Sequence, residues 1–338
     1  MSEKAFFMRI QPFFDFTILL LDGAYPSSVA LTLDILSAAA SLSEQVGIAA
    51  PRWRVYSVAG PRVQLGHGFS IEAKPLPKNP HDDGSIWIVP GLGLESPIAV
   101  PGRMEQDDAL EAIKALRIHA RRGGTVAASC SSVFLLQEAG LLAGRRATTS
   151  WWLAPLLQRL GKDCTVDADR MVIEDSGVVT AGAAFAQVDL LLYLLRVKFG
   201  PALADSLSRV LLVDARRAQA PFIAPSLLAT GSELIDKIIA YVESSMPVLP
   251  SLTELAAQFC MSERTLTRHV RIATGRSTQD LLQSVRFGRA RMLLATTRMT
   301  VEQIAEQVGY GDATALRRMM RKLGGATPRQ FRPTAYEA

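Results

Sequence analysis

Residues 252–275 read LTELAAQFCMSERTLTRHVRIATG, and residues 301–325 read VEQIAEQVGYGDATALRRMMRKLGG. Each stretch places apolar residues at helical spacing on both sides of a short turn, and Ser262 or Asp312 follows the turn as a helix N-cap. From the cap onward the two copies align at an offset of 50 residues, and before it at an offset of 49. The chain therefore carries a helix-turn-helix pattern twice, and the second turn is one residue longer.

Positive charge is concentrated in the part that holds this repeat. Residues 1–230 contain 22 Lys and Arg against 22 Asp and Glu, whereas residues 231–338 contain 15 against 10. Between Arg264 and Arg332 the count is 14 basic against 4 acidic residues. Such a surface attracts a phosphate backbone through counterion release. A solvated, arginine-rich helix face is the alternative, but two capped units joined by a basic helix favour double-stranded DNA as the partner.

The repeat resembles the DNA-binding part of the AraC/XylS family of transcription regulators over residues 233–332. That family joins two helix-turn-helix units through one long helix, which is expected here at residues 279–295. RFGRARMLL resembles the family's Arg-x-x-x-Ala-x-x-Leu-Leu pattern, and GGATPRQFR resembles its closing Gly-x-x-Pro-x-x-Tyr/Phe-Arg signature. Cys260 and Met320 depart from the family, which often has Gly or Ala at the first position and Phe at the second.

Helix geometry assigns the residues that face DNA. A recognition helix in the major groove presents the second, third, fifth and sixth positions after its N-cap to the base edges. The predicted DNA-binding residues are Ser262, Arg264, Thr265, Thr267, Arg268, Thr314, Arg317 and Arg318, with Ala313 offering only a methyl group. Base readout and phosphate contact both stay open for each arginine. Because both readers lie in one chain, they can span successive major grooves without a dimer, and the half-site should be asymmetric.

The first two thirds of the chain alternate apolar strands with helical stretches. Strands are predicted at 16–21, 53–58, 86–89, 125–129 and 178–181, and helices at 28–41, 107–121, 133–139, 152–160 and 186–199. A hairpin is predicted at 170–180. Apolar strands such as FTILLL and IWIV are typical of a parallel sheet covered on both faces. The predicted fold class is α/β, with a doubly wound parallel sheet followed by an all-α double helix-turn-helix domain.

A cysteine lies at a predicted strand-to-helix junction, in the stretch GTVAASCSSVFLLQEAGLLAGRRATTSWW. The turn at Cys130 resembles the nucleophile elbow of class I glutamine amidotransferases and the ThiJ/PfpI group. PGLG, ending at Gly93, resembles the loop that supplies their oxyanion hole. Together with AGLLAGRRATT and TAGAAFAQVDLLL, these motifs extend the resemblance over about residues 15–200. The resemblance implies a flavodoxin-like, amidotransferase-like domain, and it makes an enzyme one of the function hypotheses.

The groups that would activate a thiol nucleophile are missing. A base, usually histidine, must take the thiol proton. The resembled group commonly has Thr-Thr-His where this chain has Thr148-Thr149-Ser150, and its acidic residue falls near Ser28. Ser132 replaces a small glycine, and no strand-end match is found at His67, His81 or His119. We therefore predict no catalytic residue, no cofactor and no metal. A working thiol enzyme fused to a DNA-binding domain, and a buried cysteine without a role, stay as alternatives.

A pocket can survive the loss of catalysis. The carboxyl edge of a parallel sheet is concave at a topological switch point, where small polar ligands bind. The predicted lining is Ser28, Gly91, Leu92, Gly93, Cys130, Ser131, Ser150 and Trp151. Backbone N–H groups there can bind a carboxylate, and an aromatic face at Trp151 or Trp152 can hold a cationic group. A core position for at least one of these tryptophans is the alternative.

Length and composition set the wider expectations. A chain of 338 residues with 49% apolar residues suggests two domains. We predict a sensor and dimerisation domain at 1–217, a linker at 218–232 and a DNA-binding domain at 233–335. No apolar stretch reaches the roughly 18 residues that span a bilayer, and residues 1–12 lack a signal-peptide layout. The three cysteines show neither metal spacing nor a disulfide framework, so the cytoplasm is the expected location.

An amidotransferase-like domain followed by an AraC-type reader resembles the GlxA family of transcriptional regulators. The resemblance implies a sequence-specific DNA-binding regulator that responds to a small-molecule effector, with activation favoured over repression. It also implies a homodimer formed through the first domain, RNA polymerase as a further candidate partner, and no membrane partner. A regulator whose first domain only dimerises, without a ligand, is the remaining alternative. The sequence names neither the effector nor the operator.

Overall fold

The computed structural model describes residues 13–77, 84–94, 96–213, 216, 219, 233–274, 276–324 and 327–332. Packing divides the chain into two compact units. The first unit comprises residues 1–141, 174–179 and 187–215, and the second comprises 142–173, 180–186 and 216–338. Apart from Gln219, the predicted linker lies outside the described residues. Among the helices that are described, none is both long enough and apolar enough to cross a membrane.

Within the described residues, the main sheet has seven strands and is mostly parallel. The strands of the chain are β1 (Phe16–Leu20), β2 (Trp53–Ser57), β3 (Arg62–Gln64), β4 (Ser70–Glu72), β5 (Lys74–Pro75), β6 (Ile86–Val89), β7 (Val126–Ser129), β8 (Arg146–Ala147), β9 (Thr165–Val166), β10 (Val172–Asp175) and β11 (Val178–Ala181). The sheet order is β10-β11-β7-β6-β1-β2-β5, with β1 parallel to β2 and β6, and β7 parallel to β6. Every residue of β1 and β7 is buried, as a sheet covered on both faces requires. The predicted parallel α/β fold is confirmed.

The helices of the first 217 residues follow the predicted ones closely. They are α1 (Pro26–Ser43), α2 (Ala99–Met104), α3 (Asp107–Arg121), α4 (Val133–Glu138), α5 (Ala154–Leu160), α6 (Gln187–Phe199) and α7 (Pro201–Val210). Helix α1 begins two residues earlier than predicted because Pro26 has the backbone angle that a first helical turn needs. Helix α5 begins two residues later, since the N–H of Leu153 closes a turn on the carbonyl of Ser150.

The predicted hairpin is present between β10 and β11. Its two-residue turn has Ser176 at φ 53° and Gly177 at φ 79°. Two positive φ angles in succession define the turn type whose twist matches that of the flanking strands. Several short elements were not predicted, namely α2, α7, the antiparallel pair β3 and β4, the edge strand β5 and the parallel pair β8 and β9. Most of them are too short for periodicity to reveal.

The second unit contains the repeated helices. These are α8 (Glu233–Ser244), α9 (Leu252–Gln258), α10 (Glu263–Thr274), α11 (Thr278–Thr296), α12 (Val301–Gln307) and α13 (Ala313–Gly324). Two apolar cores form around them, and α11 contributes to both. Leu281 and Val285 join the core made with α8, α9 and α10, whereas Phe287 and Leu294 join the core made with α12 and α13. The predicted double helix-turn-helix arrangement with one connecting helix is confirmed.

Candidate DNA-binding surface and effector site

The first helix-turn-helix unit is α9 and α10. Ser251 caps α9 through a reciprocal pair of bonds with Glu254, in which each residue satisfies a backbone N–H of the other. The turn then passes through Cys260, which has φ 52°. Ser262 caps α10 by accepting a bond of 3.2 Å from the N–H of Thr265, as its place in the sequence predicted.

The outward face of α10 carries the predicted reading residues. Arg264 and Arg268 are exposed, whereas Leu266 and Val270 are buried in the core behind them. Thr267 is half-buried beside the two arginines. The hydroxyl of Thr265 lies 2.9 Å from that of the exposed Ser262, so both hydroxyls take part in the cap. Arg264 and Arg268 are therefore the long hydrogen-bond-donating side chains that this face exposes to solvent.

The second unit, α12 and α13, repeats this arrangement with one difference. Asp312 caps α13 by accepting a bond of 2.8 Å from the N–H of Ala315. Thr314, Arg317 and Arg318 are exposed. Arg317 donates to Glu302 on α12 at 3.2 Å, a contact that exposed side chains can exchange for a phosphate. The proposed methyl contact from Ala313 was wrong, because that side chain is 8% exposed and packs inward at the first position after the cap.

Close contacts fix the two helix-turn-helix units relative to each other. Gly309 forms the turn of the second unit with φ 75°, and a Cβ atom there would collide with the carbonyl oxygen of Pro247 in the loop after α8. Arg286 on α11 stacks on the ring of the next residue, Tyr310. Met246 packs against both apolar cores. These contacts consequently fix the orientation of the recognition helices α10 and α13 relative to each other.

The first unit of the chain contains a tight turn at Cys130. Strand β7 ends at Ser129, Cys130 has φ 55°, and a single 3₁₀ turn leads into α4. A left-handed angle at a residue other than glycine costs on the order of 1–2 kcal/mol and marks a constrained turn. This is the strand-elbow-helix geometry that the sequence resemblance predicted. The Cys130 side chain is buried, with 3% exposure.

The loop 90–94 packs directly on this elbow. The Ser131 hydroxyl donates to the carbonyl of Leu92 at 2.7 Å, and the Ser132 hydroxyl donates to the carbonyl of Pro90 at 2.6 Å. Ser132 therefore ties the loop to the elbow and does not merely crowd it. A Cβ atom on Gly91 would lie 3.0 Å from the Cβ of Cys130 and 3.5 Å from Oγ of Ser28. Three of the predicted lining residues are thus brought together.

The remaining predicted lining residues are placed as follows. Leu92 is buried, and its turn is held by the N–H of Gly93, which donates to the carbonyl of Gly23 at 2.7 Å. The carbonyl of Gly91 accepts from the N–H of Tyr25 at 2.8 Å, just before α1 begins. Ser150 and Trp151 belong to the second unit, where Ser150 is buried and Trp151 is half-buried.

The two histidines described in the first unit, His119 and His67, lie outside the elbow at Cys130. His119 is buried against Trp87, with ring centroids 4.6 Å apart, and its carbonyl accepts from Gly124 before β7 begins, whereas Cys130 follows the other end of that strand. His67 is exposed on a separate loop, at φ 59°. His81 lies outside the described residues. Within the part of the chain that is described, no group of three potential metal ligands converges.

Comparisons with known proteins agree with both parts of this geometry. A model described as a helix-turn-helix domain matches residues 255–334, and the DJ-1/PfpI family model matches residues 79–196. The HTH-type transcriptional regulator CdhR of Pseudomonas aeruginosa is 27% identical over 292 residues, which are 83% of this chain and 81% of CdhR. The HTH-type transcriptional regulator GlxA of Rhizobium meliloti is 25% identical over 220 residues, which are 64% of this chain and 68% of GlxA.

This chain is a helix-turn-helix transcriptional regulator. It joins a DJ-1/PfpI region to an AraC-type reader, and its partner is double-stranded DNA. Among solved structures, an AraC family transcriptional regulator from Pseudomonas putida aligns with a TM-score of 0.49 and 19% identity, covering 59% of this chain and 99% of that one. The predicted class of function, a DNA-binding transcriptional regulator, is confirmed.

Sequence reasoning missed one buried residue of the regulator. The Gln219 side chain is 2% exposed, and its amide nitrogen donates to Oγ1 of Thr148 and to the carbonyls of Thr149 and Arg170 at 2.9–3.1 Å. Its amide oxygen accepts from the N–H of Trp151 at 3.2 Å. Gln219 thereby holds the strand end that leads to Ser150. A polar residue in an otherwise apolar linker, AQAPFIAPSLL, was the available signal.

Proposed function

We propose that the DJ-1/PfpI region of this regulator senses a small carboxylate-bearing metabolite and that the helix-turn-helix part converts its binding into transcriptional control, with activation favoured over repression. One observation carries the proposal. The elbow keeps the constrained backbone of a nucleophile turn at Cys130, whereas Ser150 stands where the resembled group commonly has its histidine. A strained backbone angle is retained where function depends on it. Ligand binding depends on the shape of this turn but does not require a general base beside the thiol.

The chemistry of the elbow fits a carboxylate. Backbone N–H groups at the start of a helix, together with those of a nearby loop, form a concave donor set for an anion. Here the 3₁₀ turn at Cys130 and the loop at Gly91 approach so closely that a Cβ atom on Gly91 would lie only 3.0 Å from the Cβ of Cys130. Buried hydroxyls of Ser28 and Ser131 add polar lining without adding charge. Gly93 and Leu92 complete the lining that we propose.

Several wider features belong to the same proposal. The sensor and dimerisation domain would span 1–217, the linker 218–232 and the DNA-binding domain 233–335. The protein would act in the cytoplasm as a homodimer, with RNA polymerase as a further partner, and without catalytic activity, cofactor or metal. The alternative of a ligand-independent regulator, whose first domain only dimerises, predicts that no small molecule stabilises the protein.

A ligand screen by thermal shift tests the proposal. A library of small carboxylates, including amino acids and their quaternary ammonium derivatives, should contain a compound that raises Tm of the full chain and changes its DNA affinity. Gly91→Val should abolish both effects, because its side chain would enter the space at Cys130. Gly102→Ala is the matched control, since a Cβ atom there meets nothing within 4 Å. If no library member stabilises the protein while DNA binding is intact, the sensor function is rejected.

The thiol-enzyme alternative rests on the same Cys130 backbone angle. It is tested separately by single-turnover assays with amide and ester substrates. A burst of product that disappears in Cys130→Ala would establish catalysis and overturn the proposal that the pocket only binds.

A further inference from the structure

The second unit contains a positively charged cleft between α5 and the recognition helix α10. Its volume is about 590 Å³, and the lining includes Arg159, Lys162 and Arg271. No aspartate or glutamate is among the lining residues. None of these three cations forms an ion pair with a described residue, whereas Arg276 and Arg146 of the same unit each have an aspartate partner. Several positive charges that line one cleft without a carboxylate among them create a positive electrostatic potential, which attracts anions.

Arg271 places this cleft beside the face that reads DNA. It follows Arg264 by seven residues, which is about two helical turns, and therefore lies on the same stripe of α10 as Arg264 and Arg268. All three arginines are exposed, whereas the opposite stripe, with Leu266 and Val270, is buried. The first turns of a recognition helix contact base edges, and later turns lie near the sugar-phosphate backbone. The cleft thus borders the place where phosphates are expected.

Several contacts hold α5 and its following loop in place. Arg276, in the turn before α11, donates to Asp169 at 2.5 Å and to Oγ of Ser284 at 3.0 Å. The Arg276 side chain is 13% exposed, whereas the Asp169 side chain is 54% exposed, so the ion pair is shielded from water on the arginine side only. Gln158 bonds to both the carbonyl of Cys164 and the N–H of Val166, which fixes the loop that carries Lys162. The cations are therefore presented on an ordered surface.

We propose that this cleft is an additional DNA contact, in which Arg159 and Lys162 bind backbone phosphates next to the groove entered by α10. The contact lies outside the helix-turn-helix sequence and extends the footprint of the first unit. It positions the recognition helix and does not read bases, because lysine and exposed arginine at a phosphate carry no sequence preference. Inorganic phosphate or a phosphorylated metabolite would satisfy the same charges, and the experiment separates these sources.

The test compares the full chain with the double variant Arg159→Ala/Lys162→Ala across a salt titration, using a random-sequence duplex pool and the sites selected from it. Loss of two phosphate contacts should make the negative slope of log K against log salt shallower by about 1.8 and weaken binding about 30-fold at 0.15 M salt. The selected sequence preference should not change. Arg159→Lys/Lys162→Arg should bind like the parent, and Lys114→Ala, an exposed cation on α3, should have no effect.

Three results would overturn the proposal. Unchanged affinity and slope in the double variant would show that the cleft does not meet DNA. Tighter binding by the double variant would show that α5 holds α10 away from DNA. A rise in Tm with inorganic phosphate that the double variant loses, while its DNA affinity is unchanged, would assign the cleft to a small anion. Arg159→Gln/Lys162→Gln keeps the side-chain stems and repeats the test if the alanine variant melts early.

Discussion

The guanidinium group of Arg286 lies 4.7 Å from the centroid of the Tyr310 ring. Arg286 belongs to the connecting helix α11, and Tyr310 belongs to the turn of the second helix-turn-helix unit. A cation over an aromatic face contributes about 0.5–2 kcal/mol, depending on its exposure to water. Beside it, Gly309 lies against the carbonyl of Pro247. These contacts set the angle between α10 and α13, and hence the distance between the two grooves that they enter.

Gly309→Ala should disturb this arrangement. The residue has φ 75°, and its new Cβ atom would meet the Pro247 carbonyl, so we expect a loss of about 2 kcal/mol in the free energy of unfolding. The preference for one spacing between half-sites should also relax. Denaturant unfolding and a selection with variable spacers measure the two effects. Cys260→Gly is the matched control, because Cys260 holds the equivalent turn at φ 52° and glycine should be tolerated. Equal stability of Gly309→Ala and parent would contradict the assignment.

Arg268 and Arg318 should read bases. Replacing either with alanine should cost about 1–3 kcal/mol in operator binding and relax the preference at particular base pairs, because one base edge is left unread. Arg329→Ala, which removes an exposed cation, should weaken all sequences alike. A site selection in which both variants keep the parental preference would reject their role as readers.

We expect Arg332 to contribute to protein stability, unlike Arg329, which is expected to contribute to DNA affinity. Its guanidinium donates to the carbonyls of Thr297 and Met299 within the second unit. Arg332→Ala should therefore lower the Tm of the DNA-binding part and change the salt slope by much less than one phosphate contact. Thermal melting alongside the salt titration distinguishes the two roles.

DNA binding should be retained by a fragment of residues 231–338. Its described helices supply both apolar cores, and these residues carry the excess positive charge. Binding should fall steeply with salt because phosphate contacts release counterions. Electrophoretic retention on duplex DNA at low salt, followed by a salt titration, measures this. A folded fragment that is not retained, or whose affinity does not respond to salt, would contradict the charge argument.

Acid should weaken the first helix-turn-helix unit through Glu254. Bonds from the backbone N–H and hydroxyl of Ser251 lower the pKa of this carboxylate. A pKa that is lower in the folded state gives stability that is complete above the unfolded value of about 4.3 and is lost as pH falls through the folded value. Glu254→Gln should flatten the decline of Tm below about pH 5.

The second unit supplies the control for this pH effect. There Gln303 takes the same capping position and bonds to the N–H of Thr300 at 2.8 Å without a titratable proton. Gln303→Glu should introduce an acid-dependent decline of its own. If the Tm profiles of parent, Glu254→Gln and Gln303→Glu coincide between pH 3 and 7, the cap does not contribute to acid sensitivity.

Cys130→Ala should leave DNA binding intact and change the effector response only modestly. Ser150 stands where the resembled group commonly has the histidine that activates the thiol, so the contribution of Cys130 should be shape. Alanine at a position with φ 55° carries a similar backbone cost to cysteine and leaves a small void. Thermal shift with the effector found in the screen, and operator binding with and without it, measure the response. A complete loss of response in Cys130→Ala would show that the sulfur contacts the ligand.

The repeated pattern and the sheet could be predicted because each is encoded over short distances. The caps at Ser262 and Asp312 depend on residues within three positions, and the apolar run of β1 directly reports burial on two faces. The turn of the elbow followed from a strand, a cysteine and a helix in immediate succession. The spacing of apolar residues was therefore sufficient to predict the fold and to distinguish the exposed from the buried faces of α10 and α13.

Contacts between distant residues were not predictable in the same way. Gln219 lies 71 residues from Thr148, and Arg276 lies 107 residues from Asp169, so no local pattern links either pair. The inward position of Ala313 and the internal bonds of Arg332 likewise depend on packing against other helices. Counting charged residues located the basic region. It did not reveal which cationic side chains, such as Arg332, already bond to other residues of the chain.

Met246 packs against the cores of both helix-turn-helix units. A rotation imposed on one reading helix is therefore transmitted to the other, and an operator is recognised as one combination of two grooves. Substitutions on either helix can change which bases are preferred, but they cannot easily change the number of base pairs between them. New target genes would then be acquired by altered base preference at constant spacing, which restricts the promoters that this regulator can come to control.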